Sequence, residues 1–305
     1  MFVKNNVLIM KKQILILISF FLFNVGFTQH TKGLVTNEKG KSMLLGEVNR
    51  ASFNHKDFDW FSKNYDAYLA NDKIINLLKD ELQSYKIKVF FGSWCGDSKR
   101  NVPVFLRILD ESNLPKEHIE IIALDRKDEA YKQSPNGEEK GLNIHRIPTF
   151  IFYKNGKEIN RIVEHPKETF ERDVLKIIQG KKYVSKYRAV ELIDTLLYTQ
   201  KDNLKTQEKQ LISYLPEIAE GVKELNTYGF VKLSANEFEK AQYAFELNAK
   251  VYPNHYVTHF SLGKFYHRQK NYKKALQSLY RSLSLNSKNE KAKELIKEIE
   301  HHTLK

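Results

Sequence analysis

The 305 residues contain a single cysteine, and its setting narrows the folds open to the chain. A mostly apolar run, Ile87 to Phe91, reads as a buried β-strand. Val102, Phe105, Leu106 and Leu109 then recur at helical spacing. Between the two lies Gly92-Ser93-Trp94-Cys95-Gly96-Asp97-Ser98. A thiol at a strand-to-helix turn faces unpaired amides and the positive end of the helix dipole, a place that favours negative charge. Thiolate is the reactive form of cysteine. A lone cysteine elsewhere commonly serves as a small buried hydrophobe. Gly92, Gly96 and Asp97 suit a tight, partly exposed turn better than a packed core.

Trp94-Cys95-Gly96-Asp97-Ser98 resembles the Trp-Cys-x-x-Cys site of the thioredoxin superfamily, with serine in the second cysteine position. Pro103 stands where that superfamily places a kink proline in the following helix. The stretch Ile147-Pro148-Thr149-Phe150-Ile151-Phe152-Tyr153-Lys154-Asn155-Gly156 resembles its second signature. The resemblance implies an α/β fold, a central mixed sheet flanked by helices. It also implies a cis Pro148 packed against Cys95, with the backbone at Ile147 pairing with an extended substrate segment.

The same resemblance assigns roles. Cys95 is the nucleophile, with Trp94 and Ser98 beside it, while Ile147, Pro148, Gly96 and Asp97 form the substrate-facing rim. Two family features are missing: Ser98 cannot resolve a disulfide, and Val89 occupies the place of a buried acid that assists the resolving cysteine. A monothiol mechanism remains, in which a mixed disulfide on Cys95 is released by a thiol from the substrate or from solution. The expected activity is that of a thiol–disulfide oxidoreductase or isomerase acting on proteins that carry a disulfide or thiol. The other reading is a redox-inactive scaffold or adaptor. Ser98 either donates a hydrogen bond to the thiolate or bonds its own backbone. Asp97 serves the helix N-terminus, with Lys99 and Arg100 as solvated cations.

Residues 1–28 read as a secretory signal: Lys11 and Lys12, an apolar run from Ile14 to Phe23, then Gly26 and Thr28 before a cleavage point. The expected location is therefore exported, periplasmic or otherwise in the cell envelope or outside it, with no membrane span once the signal is removed. Residues 29–70 form an N-terminal extension, with a short strand around Met43 to Val48. A helix runs from Asp57 to Ala70, and its aromatics Phe58, Trp60, Phe61, Tyr65 and Tyr68 serve as core. Residues 71–180 form the thioredoxin-like unit: a helix capped at Asn71-Asp72, strands at 87–92, 119–124, 149–153 and 158–163, and helices near 98–111 and 167–179. Asn155-Gly156 supplies the positive φ of a hairpin turn. The polar stretch from Asp125 to His145 is a loop or short helix near the site, a candidate for reading a partner.

Residues 181–221 link by helix to a repeat in 222–300. Gly229 and Gly263, Ala241 and Ala275, and Phe245 and Leu279 are all 34 residues apart. That period, with Pro253, Leu262-Gly263 and Tyr266, resembles tetratricopeptide helix–turn–helix units. Residues 289–300 read as a capping helix, and the linking segment packs on the repeats as an added layer, since two repeats rarely stand alone. The resemblance implies a protein partner on this surface. The net charge of +13 is spread among glutamates without a nucleic-acid motif, which argues against nucleic acid as a partner. His145 and His165 lack metal-ligand spacing, and no phosphate loop stands out, so no metal or cofactor is expected.

Overall fold

Strand β4 (Tyr85–Phe91) explains the sheet around it. Tyr85, Ile87 and Val89 are buried, Lys86 is exposed and Lys88 half-buried, as one covered face requires. At its end Phe90 and Phe91 are both fully buried, so the strand's exit is covered on both sides. The computed structural model describes residues 32–199 and 204–303, and residues 1–28, read from the sequence as a signal, lie outside them. Strands β1 (Leu34–Thr36) and β2 (Ser42–Leu44) pair as a separate antiparallel ribbon. Strand β3 (Gly46–Val48) edges a five-stranded sheet that also holds β4, β5 (Ile119–Ala123), β6 (Thr149–Lys154) and β7 (Lys157–Val163). The order is β3-β5-β4-β6-β7. Only β4 and β5 are parallel. The single strand expected around Met43 to Val48 is split at Leu45, whose amide donates to the Gly33 carbonyl.

Helices α1 (Asp59–Ala67), α2 (Asp72–Glu81), α3 (Gly96–Glu111) and α4 (Phe170–Ile178) pack around Ile87, Val89, Phe91, Phe150 and Phe152 in one core. α1 is shorter than the sequence suggested. A 3-10 turn, Lys56–Phe58, precedes it, and Tyr68 returns to extended backbone. Phe58 is buried, and Trp60, Phe61 and Tyr68 pack against the same core, so these aromatics are structural. The second core gathers Phe90, Ile122, Leu124, Ile144, Ile147 and Ile151, with Trp94 and Cys95 at its margin. Its cover comes from segment 125–147, which contains one 3-10 turn, Asp128–Ala130.

The linking segment forms two helices, α5 (Arg188–Thr199) and α6 (Leu204–Ile218). They share a core with α7 (Lys223–Ser234) and α8 (Phe238–Val251) through Ile193, Leu211, Leu215, Leu225, Tyr228 and Leu247. A third core joins α7 and α8 to α9 (Tyr256–Arg268), α10 (Tyr272–Leu285) and α11 (Glu290–Thr303). The repeat is physical. A Cβ on Gly229 would sit 2.8 Å from the Phe245 ring, and one on Gly263 would sit 2.7 Å from Leu279. Glycine lets each helix pair close to the same depth, one period apart.

The helical layer meets segment 125–147 at Asp128. The Asp128 carbonyl accepts from Ser234 Oγ (2.6 Å) and Arg268 (3.2 Å), and its carboxylate pairs with Lys264 at 2.8 Å.

Candidate functional site

Cys95 is the N-cap of α3, with extended backbone (φ −91°, ψ 127°) and no capping bond from its side chain. The thiol is therefore left to face elsewhere. It is half-buried, and its S–H donates to the Ile147 carbonyl at 3.6 Å. The turn is fixed by backbone. The Cys95 amide donates to the Gly92 carbonyl (2.9 Å), and the Lys99 amide donates to the Cys95 carbonyl (3.0 Å). Gly92 is required for lack of space: a Cβ there would lie 2.7 Å from the Trp94 indole and 2.9 Å from Ile147 Cδ1. Trp94 is anchored by its Nε1–H to the Leu124 carbonyl (2.9 Å), and Tyr131 lies against it with ring centroids 6.1 Å apart.

Ile147-Pro148 is cis and buried, and the Pro148 carbonyl accepts from Glu164 N (2.7 Å). Gly96 is exposed and Asp97 half-buried on the first turn of α3, where Asp97 pairs with Arg100. Cys95, Trp94, Gly96, Asp97, Ile147 and Pro148 therefore share one end of the sheet. Ser98 lies one turn inward. It is 0% exposed, and its Oγ accepts from the Gly92 amide at 3.2 Å. Lys99 sits over the Trp60 ring, with Nζ 5.9 Å from the centroid. Val89 is fully buried among the residues of the first core.

Sequence reasoning did not single out the buried charges behind this surface. Lys132 is 5% exposed, and its Nζ donates to the His145 carbonyl at 2.7 Å. Burial, reinforced by the positive Arg146, pushes its ammonium down to about 7. His145 is 7% exposed, and burial pushes its imidazole down to about 3, so it is neutral at ordinary pH. Arg146 pairs with Glu164 (3.3 Å), and Tyr187 donates to the same carboxylate. Burial raises Tyr131. Lys132 and Arg146 stand in a polar stretch without periodicity, so neither carries a burial signal in the sequence.

The thioredoxin family profile matches residues 51–175, which include Trp94, Cys95, Ile147 and Pro148. Residues 51–175 form a thioredoxin-like domain. The chain is similar to thioredoxin H2 of Arabidopsis thaliana, 32% identical over 88 residues, which are 29% of this chain and 59% of that protein. It is also similar to thioredoxins of Malassezia sympodialis (35% over 74 residues, 24% of this chain and 63% of the relative) and Chlamydia trachomatis serovar D (36% over 74 residues, with the same shares). The chain spans about three-fifths of the length of these relatives. The thioredoxin-like domain keeps its two signatures at one end of the sheet, and the C-terminal stretch of helices follows it.

Proposed function

We propose that this is an exported protein performing monothiol thiol–disulfide exchange through Cys95, on protein or mixed-disulfide substrates, while the tetratricopeptide-like repeats hold a protein partner. The observation that carries the reading is the half-exposed Cys95 thiol, 3.6 Å from the backbone carbonyl next to cis-Pro148. The thiolate attacks one sulfur of a substrate disulfide. That S–S bond breaks, a Cys95 mixed disulfide forms, and the displaced sulfur leaves as a thiolate that takes a proton. A second thiol, from the substrate or from a small molecule in solution, attacks the mixed disulfide and regenerates Cys95. No electrons are gained or lost beyond those exchanged among these sulfurs. Reduction of mixed disulfides and isomerisation fit this scheme, whereas net dithiol oxidation by one chain does not. The test is turnover of a glutathione–protein mixed disulfide with excess glutathione, comparing the mature chain with Cys95→Ser. A loss of at least roughly tenfold in the variant is expected for removal of a nucleophile, and equal turnover removes the reading.

One observation favours a second reading, a redox-inactive adaptor. Ser98 is sealed against the Gly92 amide and Val89 is packed in the core, so the positions that drive resolution in the resemblance are structural here. Iodoacetamide separates the two. Fast alkylation at mildly acidic pH supports exchange, and the slow reaction of a buried thiol supports the adaptor.

A further inference from the structure

The loop after β5 is closed on itself and tied at its tip to the helical layer. The Asp125 amide donates to the Gln133 carbonyl (2.8 Å), the Lys132 amide to the Asp125 carbonyl (3.0 Å), and the Gln133 amide to the Ala130 carbonyl (2.9 Å). At the tip, side chains from the repeats converge on Asp128. Ser234 of α7 is 4% exposed and donates its hydroxyl to the Asp128 carbonyl at 2.6 Å. Arg268 of α9 donates to the same oxygen (3.2 Å), and Lys264 meets the carboxylate at 2.8 Å. An exposed ion pair such as the last holds little alone, so the buried hydroxyl and the shared carbonyl make the contact specific. Tyr131 follows three residues on. It is half-buried, and its ring lies against the Trp94 indole with centroids 6.1 Å apart. On its other side it lines a cleft of about 620 Å³ with Phe230, Leu233 and Arg268. A tyrosine used for packing is sealed with its hydroxyl bonded. The Tyr131 hydroxyl has no hydrogen-bond partner among the described residues, and the ring stands between open space and the indole next to Cys95.

We propose that Tyr131 is a substrate-binding wall of the Cys95 site, and that Ser234, Lys264 and Arg268 are positioning residues that act through it by fixing Asp128. A polypeptide that brings its sulfur to Cys95 lies across the neighbouring indole and meets the Tyr131 ring and hydroxyl there. The ring offers an apolar surface and the hydroxyl a hydrogen bond, at one place beside the reacting sulfur. A loop without strand or α-helix of its own must be ordered when substrate binds, unless it is already held. The helical layer holds it beforehand, through contacts to Asp128 that do not involve substrate. The gain is in affinity for the polypeptide and not in the sulfur chemistry, so it belongs to KM rather than kcat. No bond to sulfur and no proton transfer is assigned to these residues.

The inference rests on the exchange reading, and one set of measurements separates the two. In the full chain, Ser234→Ala, Lys264→Met and Arg268→Met together remove the donors to Asp128. Hydrogen exchange of the Lys132 and Gln133 amides is expected to quicken by roughly tenfold, while the amides of α7 and α9 keep their protection. With the glutathione–protein mixed disulfide as substrate, KM is expected to rise about fivefold at nearly constant kcat. Tyr131→Leu alone is expected to raise KM by a similar factor, and adding the other substitutions to it changes KM no further. A merely structural role of the helical layer lowers kcat or adds to the effect of Tyr131→Leu, and either result overturns the proposal. Unchanged exchange at Lys132 and Gln133, or an unmoved KM in a loosened loop, overturns it as well. Should the combined variant not fold, Ser234→Ala alone goes through the same cycle, with KM expected to rise about twofold. No turnover by wild type is the failure of the exchange reading and takes this inference with it. Turnover with an unmoved KM is the failure of this inference alone.

Discussion

His145 makes the stability of this chain depend on pH in a direction and over a range that can be worked out. Its ring is sealed between Tyr187 and Tyr228, with centroids at 5.8 and 6.5 Å, and Nδ1 lies 3.2 Å from the Asn143 carbonyl. Burial pushes the imidazole from 6.5 to about 3, aided by the positive Lys132, Arg146 and Arg161. The unfolded chain keeps the ordinary affinity, so between pH 6.5 and 3 it binds a proton that the folded chain refuses. Stability from His145 is thus intact above pH 6.5 and is lost as pH falls through that window. The loss amounts to about 2 kcal/mol at pH 5 and about 3 kcal/mol at pH 4. In His145→Phe the ring volume remains and the titration is gone. Urea unfolding at pH 7 and pH 5, read by the fluorescence of Trp60 and Trp94, measures the difference, because both tryptophans lie in the thioredoxin-like domain. Wild type is expected to lose about 2 kcal/mol more than His145→Phe over that interval. Equal losses in the two proteins would show that the ring accepts a proton without unfolding, and the burial argument would fail.

Gly263→Ala puts a methyl group 2.7 Å from Leu279, and the overpacking cost of ~1–3 kcal/mol outweighs a helix-propensity gain of up to ~1 kcal/mol. A lowered melting temperature by circular dichroism is the expected result, and an unchanged or raised one would show that Leu279 gives way without cost. Ser98→Cys places a second sulfur on the first turn of α3, and on mild oxidation the chain is expected to lose two hydrogens by mass and to gain dithiol reduction of protein disulfides by about an order of magnitude.

The elements legible in the sequence are those whose signal is local. Ile87 to Phe91 and the apolar spacing of α3 mark their strand and helix, and Asn155-Gly156 forms its turn with φ of 53° and 76°. The repeat was legible because Gly229 and Gly263 answer the same steric demand one period apart. What was missed depends on contacts distant in sequence. The split at Leu45 depends on a bond to Gly33. At the site, Cys95 and Pro148 stand in recognisable motifs. Lys132 does not, since its burial is created by His145, Tyr131 and the loop closed at Asp125, none of which marks it in one dimension.

The helical layer also holds the loop that covers the site. Asp128 is pinned by Ser234 on α7 and by Lys264 and Arg268 on α9. Three residues on, Tyr131 leans on Trp94, and the next residue is Lys132. A loop of this length, without strand or α-helix of its own, pays the full entropy of ordering unless its corner is tied down. The repeats tie it. Holding Asp128 fixes the start of the stretch that lays Tyr131 against the Trp94 indole.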